Sequence, residues 1–505
     1  MSKLKISVIL LLLSTLVLKF SSMIRDLVIS GLYGDSYMAD AYFASMTIPN
    51  TIILFLLTGL KDAFLPSYYK FDVLGKGFSH QTNIIKSTFL FSIAIAFIGT
   101  ILSPFLVDLL YPDFSNYQYG TSIAQWTIAL YFLSVVFVGV NAIYEGYFDA
   151  KKKFSISTFS QTIVVLVTVL FALLFHRPWG IYSVPIGYLV GTILSFILKL
   201  LIISPKKFLL WKQRIDWKEV NEFYLIFLPV RITIAVGQIN LSVNMLFAAG
   251  MGEGVVSNLN YAFRLISIPQ AIFGVTIATI IFPILAQAKA ENNHDLFKRG
   301  IERGLSVMLL LLAPTISGMV LLIEPIIRIV YERGAFTESA TMLTSEYSLF
   351  YMGSVFFYSI QAVIAKGFYT LEKGHYIMRI GLLSIVINIL SNYLLSKVMG
   401  PEGLALSASI VGFIYSTLTF TTLYRISGGF DLKYLSKEVG KIGLATLVMV
   451  LLLIGIEHYL GLSKLGDIPN ILINTVIGGL VFAGVLVVLR SSTFFDTISI
   501  KRRKQ

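Results

Sequence analysis

The sequence predicts an all-α polytopic membrane protein with about fourteen transmembrane helices, and three observations carry that prediction. Hydrophobic residues fill 56% of the 505 positions and charged residues only 13%, about half the charged share of a soluble globular chain. Apolar runs of roughly 20 residues, long enough to cross a bilayer as helices, recur from end to end. These runs show no period-2 alternation and are too long for strands, which argues against a barrel.

The start, Met1-Ser2-Lys3-Leu4-Lys5 before an apolar run, has the charge pattern of a signal peptide. No small-x-small cleavage site follows, so an uncleaved first helix is expected. Spans are expected near 6–32, 38–60, 84–111, 120–148, 155–175, 182–203, 220–248, 255–285, 304–330, 344–371, 376–396, 402–424, 440–460 and 469–490.

Lysine and arginine orient the spans. One set of loops carries Lys61, Lys70, Lys76, Lys86, Lys151-Lys152-Lys153, Lys206, Lys207, Lys212, Arg214 and Lys218. It continues through Lys289, Lys298, Arg299, Arg303, Lys373, Arg379, Arg425, Lys433, Lys437 and Lys441 to Lys501-Arg502-Arg503-Lys504. The opposite loops hold Arg177, Arg328, Arg333, Lys397 and Lys464. Both termini are therefore expected in the cytoplasm. Basic loops beside an anionic leaflet account for the net charge of +13 without any nucleic acid. Cysteine is absent, which excludes disulfides and thiolate metal sites.

An internal repeat sets the organisation. Gly34-Asp35, Asp40, Ile48-Pro49-Asn50 and Phe64-Leu65-Pro66 align with Gly252-Glu253, Asn260, Ile268-Pro269-Gln270 and Phe282-Pro283. Asp40 and Asn260 each stand nine residues before their proline. Both copies begin on odd-numbered spans, so the repeat is parallel, and Ile48-Pro49-Asn50 is expected to form a turn. The expected domains are residues 1–218 as a first six-helix lobe with its linker, 219–430 as a second, and 431–505 as two further helices with a basic tail. Two parallel lobes are a transporter architecture, with substrate bound at the repeat interface.

Charged groups at membrane depth are costly and mark sites. Lys19 and Arg25 fall on the first span, Arg231 on the seventh and Arg264 on the eighth. Lys19, Ser22 and Arg25 recur every three residues and share a broad helix face. Lys19 lies roughly 13 residues into its span, about 20 Å deep, too far for easy snorkelling. Guanidinium groups bind phosphate bidentately and an ammonium acts as a point charge, so this set fits an anion such as a pyrophosphate. The competing reading has Lys19 snorkelling and Arg25 merely pairing with Asp26 or Asp40. Asp40 is expected to orient an arginine, and Asn50 joins the polar set. Asn244, Asn388 and Asn392 are the candidate sodium ligands, although interhelical hydrogen bonding is the commoner use of such residues. No G-x-x-x-x-G-K-[S/T] or H-E-x-x-H pattern occurs, and the histidines, His80 among them, are scattered at span ends. No cofactor is expected. The residues leave open coupling to the membrane potential or to a monovalent cation.

Arg25-Asp26, Ala39-Asp40, Ile48-Pro49-Asn50, Tyr261-Ala262-Phe263-Arg264-Leu265, Arg333-Gly334-Ala335-Phe336-Thr337 and Gly403-Leu404-Ala405-Leu406-Ser407-Ala408-Ser409 occur in this order. In them the chain resembles the MurJ/MviN lipid II flippases of the multidrug/oligosaccharidyl-lipid/polysaccharide exporter superfamily. The resemblance implies a flippase that carries undecaprenyl-pyrophosphate-linked peptidoglycan precursor to the outer leaflet by alternating access around a cationic cavity. It implies that Arg25 and Arg264 stand at cavity arginines and Asp40 at a family aspartate. It also implies that the last two helices hold the polyprenyl tail, and that cell-wall synthesis proteins are candidate partners. Departures from the pattern are Lys19 in place of an arginine, Ile53 where a further cavity arginine often lies, and asparagines in the region of the acidic sodium ligands. Arg231 could replace the missing charge.

The alternatives are a flippase for another lipid-linked oligosaccharide, a membrane glycan polymerase or ligase, and a small-molecule antiporter. Short external loops argue against the enzyme, and an excess of cations over Asp40 argues against a cationic-drug antiporter.

Overall fold

A computed structural model describes residues 3–203, 209–210 and 212–499, with the backbone alone at some positions of the first, seventh and ninth helices. The helices are α1 (Lys3–Tyr33), α2 (Tyr37–Asp72), α3 (Gly77–Leu110), α4 (Gly120–Ala150), α5 (Phe154–Trp179), α6 (Ser183–Ile203), α7 (Trp217–Ala248) and α8 (Val255–Ile266). They continue as α9 (Ile268–Ala290), α10 (His294–Tyr331), α11 (Glu338–Thr370), α12 (Gly374–Met399), α13 (Pro401–Ile426), α14 (Leu432–Leu460), α15 (Asp467–Val488) and α16 (Ser492–Ser499). No strand occurs among the described residues.

The fourteen expected spans correspond to α1–α7, the pair α8 and α9, and α10–α15. By length and composition, ten stretches of the described residues can cross a membrane, with α5 and α6 counted as one. The eighth span is broken where Ser267 precedes Ile268-Pro269, and Pro269 sits in the first turn of α9, where its missing N–H costs nothing. Its repeat counterpart behaves differently. Ile48-Pro49-Asn50 is not a turn, because α2 runs unbroken through Pro49 and Pro66. Several helices outrun their apolar stretches. At 36 residues, α2 is about 54 Å long against a hydrocarbon core of about 30 Å, and α3 begins seven residues before the expected limit. One of those early residues is His80, only 1% exposed, which bonds Ser67 and Glu219 and stacks on Phe71.

The chain divides into two compact units, Met1–Ser257 with Arg333–Phe336, and Asn258–Glu332 with Thr337–Gln505. In the first, α4 packs on α2, α3 and α6, α5 packs on α1 and α6, and α7 packs on α2. Gly191 of α6 leaves no room for a Cβ against the Val164 backbone of α5, the close helix approach that small residues permit in membranes. α7 packs on α2 and lies within the first unit. In the second unit, α11 and α13 pack along each other, and α10 contacts α9, α11, α14 and α15. Its main core gathers Ile281, Leu285, Ile301, Met308, Phe368 and Leu423. A smaller cluster, including Leu310, Met449 and Phe482, attaches α14 and α15 to α10.

Within the first unit, the turn after α1 receives the Arg333–Phe336 segment, where Ala335 N donates to Gly31 O at 2.8 Å. Gly34 (φ 56°) and Gly334 (φ 62°) are left-handed, and a Cβ on either would overlap a carbonyl of the opposing strand of chain. Gly75 is also left-handed but has open space around it. Gly75→Ala is expected to cost about 1 kcal/mol from backbone strain alone, and Gly34→Ala clearly more because the contact must open as well. Thermal unfolding of the two variants side by side measures the difference, and equal losses would show that the contact does not matter.

Candidate functional site

On α1, Lys19 is exposed and has no hydrogen-bond or ion-pair partner among the described residues. Ser22, one turn on and half-buried, donates its hydroxyl to Leu18 O at 2.9 Å, a back-bond that leaves its oxygen able to accept. Arg25 completes the face with a side chain 22% exposed. Its Nε and Nη2 both donate to one oxygen of Asp26, at 3.1 and 3.0 Å, and Nη1 makes no hydrogen bond among the described residues. The pairing with Asp26 is therefore real, and it engages only one edge of the guanidinium.

Three tyrosines lie near that group. They are Tyr42 of α2, Tyr131 of α4 and Tyr188 of α6. The Tyr42 and Tyr131 hydroxyls bond each other at 2.9 Å, and the Tyr131 and Tyr188 rings stack at 4.6 Å. Sequence reasoning missed these tyrosines, which stand on three separate helices with no spacing in common.

Asp40 does not orient an arginine among the described residues. It is 2% exposed, and its carboxylate accepts from Gly254 N at 2.6 Å and from Ser257 N and Oγ, both at 2.7 Å. Those residues open α8, so Asp40 caps the first turn of that helix from α2, where an anion is favoured by the unsatisfied N–H groups and the helix dipole. Asp40→Asn keeps the shape but offers one acceptor oxygen instead of two. It is expected to lower thermal stability by about 1–3 kcal/mol, the range for a buried donor left unpaired. An unchanged melting temperature would refute the cap. Asn50 is half-buried on α2, and its side chain makes no hydrogen bond among the described residues. Ile53, where a further arginine was looked for, is 2% exposed and serves packing.

In the second unit, Arg264 of α8 is half-buried and donates from Nε to Asn260 Oδ1 at 2.6 Å. Asn260 thus holds an arginine within its own helix, whereas its repeat partner Asp40 caps one. The side chain of Arg231 lies outside the described residues. Asn244 in the first unit and Asn388 and Asn392 in the second are all buried, and Asn392 Nδ2 donates to Asn388 Oδ1 at 2.7 Å. No group of three or more His, Cys, Asp or Glu that could hold a metal ion occurs among the described residues.

Sequence reasoning also missed a buried ion pair in the first unit. Lys199 of α6 is 0% exposed, and its Nζ donates to Asn141 Oδ1 (2.9 Å), Glu145 Oε1 (3.0 Å) and Ser195 Oγ (3.1 Å). Gln161 Nε2 donates to the other Glu145 oxygen at 2.6 Å. A cavity of about 140 Å³ adjoins this network and is also lined by Tyr188. Both charges stand near span ends, where a lone charge reads as snorkelling.

The family model described as lipid II flippase MurJ matches residues 29–472. The probable lipid II flippase MurJ of Buchnera aphidicola is 24% identical over 486 residues, covering 92% of this chain and 93% of its own. The lipid II flippase MurJ of Burkholderia cenocepacia is 24% identical, with 89% and 88% covered. A solved structure of lipid II flippase MurJ in an inward closed conformation shares the fold, with a TM-score of 0.79, 24% identity, and 97% of this chain and 100% of that chain covered. An inward-facing multidrug resistance MATE family transporter shares it more distantly, with a TM-score of 0.64, 12% identity, and 83% and 98% covered. The chain belongs to the lipid II flippase MurJ family.

Proposed function

We propose that this chain moves lipid II from the inner to the outer leaflet of the bacterial inner membrane by alternating access, with both termini in the cytoplasm. Lys19, Ser22, Arg25 and Asn50 in the first unit and Arg264 in the second, together with Arg231, are the residues proposed to meet the pyrophosphate and sugar headgroup. Asp40 contributes by capping α8. The observation that carries the reading is Arg25, a guanidinium within a long apolar run that bonds Asp26 with one edge and leaves Nη1 uncommitted among the described residues. Such a group is expensive unless it serves a ligand, and its fork matches phosphate oxygens. The movement is proposed to draw on the membrane potential or a monovalent cation and to need no cofactor. Asn244, Asn388 and Asn392 are the weaker candidates for holding a cation.

The test is rescue in cells depleted of their own lipid II flippase, read as lipid II accessible at the outer leaflet. The expected result is restored exposure and growth. Membrane-inserted protein that restores neither would overturn the reading.

A further inference from the structure

An apolar groove lies on the first unit, lined by none of the residues named around Arg25. α3 and α7 are tied together at one end: Asn83 Nδ2 donates to Glu219 Oε2 at 2.9 Å, Asp216 N donates to Asn83 Oδ1 at 2.9 Å, and His80 bonds Glu219. Beside this clasp, α2, α3 and α7 line a groove of about 510 Å³, within the ~300–1,000 Å³ of small-ligand sites. Its walls are apolar and aromatic, including Phe55, Phe91, Ile98, Trp217 and Phe227. The one polar contact inside, Thr88 Oγ1 with Tyr224 OH at 2.9 Å, is already satisfied. Trp217 and Phe91 remain 55% and 42% exposed.

The clasped end is basic. Lys86 donates to Leu210 O (3.0 Å) and Gln213 O (2.7 Å), and Gln213 Nε2 donates to Ser79 O (3.0 Å), which seats the chain before α7 on the start of α3. That stretch presents Lys212, Arg214 and Lys218, all exposed and without ion-pair partners among the described residues. The nearby carboxylates are engaged: Asp216 caps α7, Glu219 bonds His80 and Asn83, and Glu222 pairs with Lys70 at 3.5 Å. Lys218 lies one turn before Asn221, which lines the groove, so it shares that face.

We propose that this groove binds one anionic glycerophospholipid, with its phosphate at Lys212, Arg214 and Lys218 and an acyl chain between α3 and α7. Depth selects the occupant. From Trp217 to Phe227 the groove rises about 15 Å along α7, half of the ~30 Å hydrocarbon core. That is the reach of one leaflet's acyl chain, much shorter than a polyprenyl tail. The site does not depend on the transport reading, and neither does its test.

The test is native mass spectrometry of the full chain, released from mixed micelles of phosphatidylglycerol and phosphatidylcholine with identical acyl chains. Each basic side chain near a phosphate is worth about fivefold, so the protein is expected to retain phosphatidylglycerol at least about tenfold over phosphatidylcholine. The Lys212→Gln/Arg214→Gln/Lys218→Gln variant is expected to fall below about twofold. Ala94→Trp, which fills the groove from an exposed position on α3, should lose the tightly held lipid with the basic residues intact. No preference in the parent protein, or a preference kept by the triple variant, overturns the proposal. Preference kept by Ala94→Trp would mean charge attraction without a groove site, and displacement of the lipid by equimolar undecaprenyl phosphate would make the occupant a polyprenyl lipid. Either result also overturns it.

Discussion

Arg25→Ala is expected to abolish exposure of lipid II at the outer leaflet while the protein still accumulates in the membrane. The alanine removes one edge that bonds the buried Asp26, which costs some stability, and one that has no partner among the described residues, which costs anion binding. A hydrogen bond to a charged group is worth about 1.5–3 kcal/mol, roughly 10- to 150-fold in affinity for each bond lost. A fork that makes two such bonds to a pyrophosphate would lose the product of the two. Arg25→Lys should recover only part, because an ammonium keeps the charge but cannot present the planar pair of donors. Arg264→Ala removes the corresponding charge from the second unit and should fail in the same assay. Outer-leaflet lipid II in rescued cells, normalised to immunoblotted membrane protein, gives the result. Full rescue by both alanine variants would remove the cationic residues from the mechanism.

What could be read in the sequence follows from how far each signal reaches along the chain. Span number came from continuous apolar runs, which report only on neighbours in sequence, and the helices follow it closely. The broken eighth span and the unbroken second carry the same Ile-Pro pair, yet only one helix breaks. Within α2 Pro49 removes one hydrogen bond and the helix continues, whereas Pro269 stands where α9 starts and its missing N–H costs nothing. Arg25 was legible because a guanidinium in an apolar run is rare whatever surrounds it. The three tyrosines beside it were not, since phenols are common in membrane helices and these gather only through tertiary packing. Asp40 was legible as a special residue but not in its role, because a helix start 214 residues away in sequence supplies its partner. The α3–α7 groove left no mark in sequence beyond Trp217 and the basic stretch beside it.

Lys199→Met should be among the most destabilising single substitutions in the first unit, at about 3–5 kcal/mol. It deletes a buried ammonium and leaves the Glu145 carboxylate, 1% exposed, with Gln161 as its remaining side-chain partner. The adjoining cavity can admit water and soften the loss, which favours the lower part of that range. The double variant Lys199→Met/Glu145→Gln carries no buried charge. It should recover most of the parent stability, because a buried ion pair contributes little net energy once both desolvation costs are counted. A double-mutant cycle by thermal unfolding of the solubilised protein isolates this coupling. A single-variant loss below about 1 kcal/mol would mean that the carboxylate finds water or another cation, and the network would then not be the closed unit described. Recovery in the double variant has a second consequence. Two charges that stability does not require, held together by Asn141, Ser195 and Gln161 across α4, α5 and α6, would act by fixing how those three helices are registered against one another.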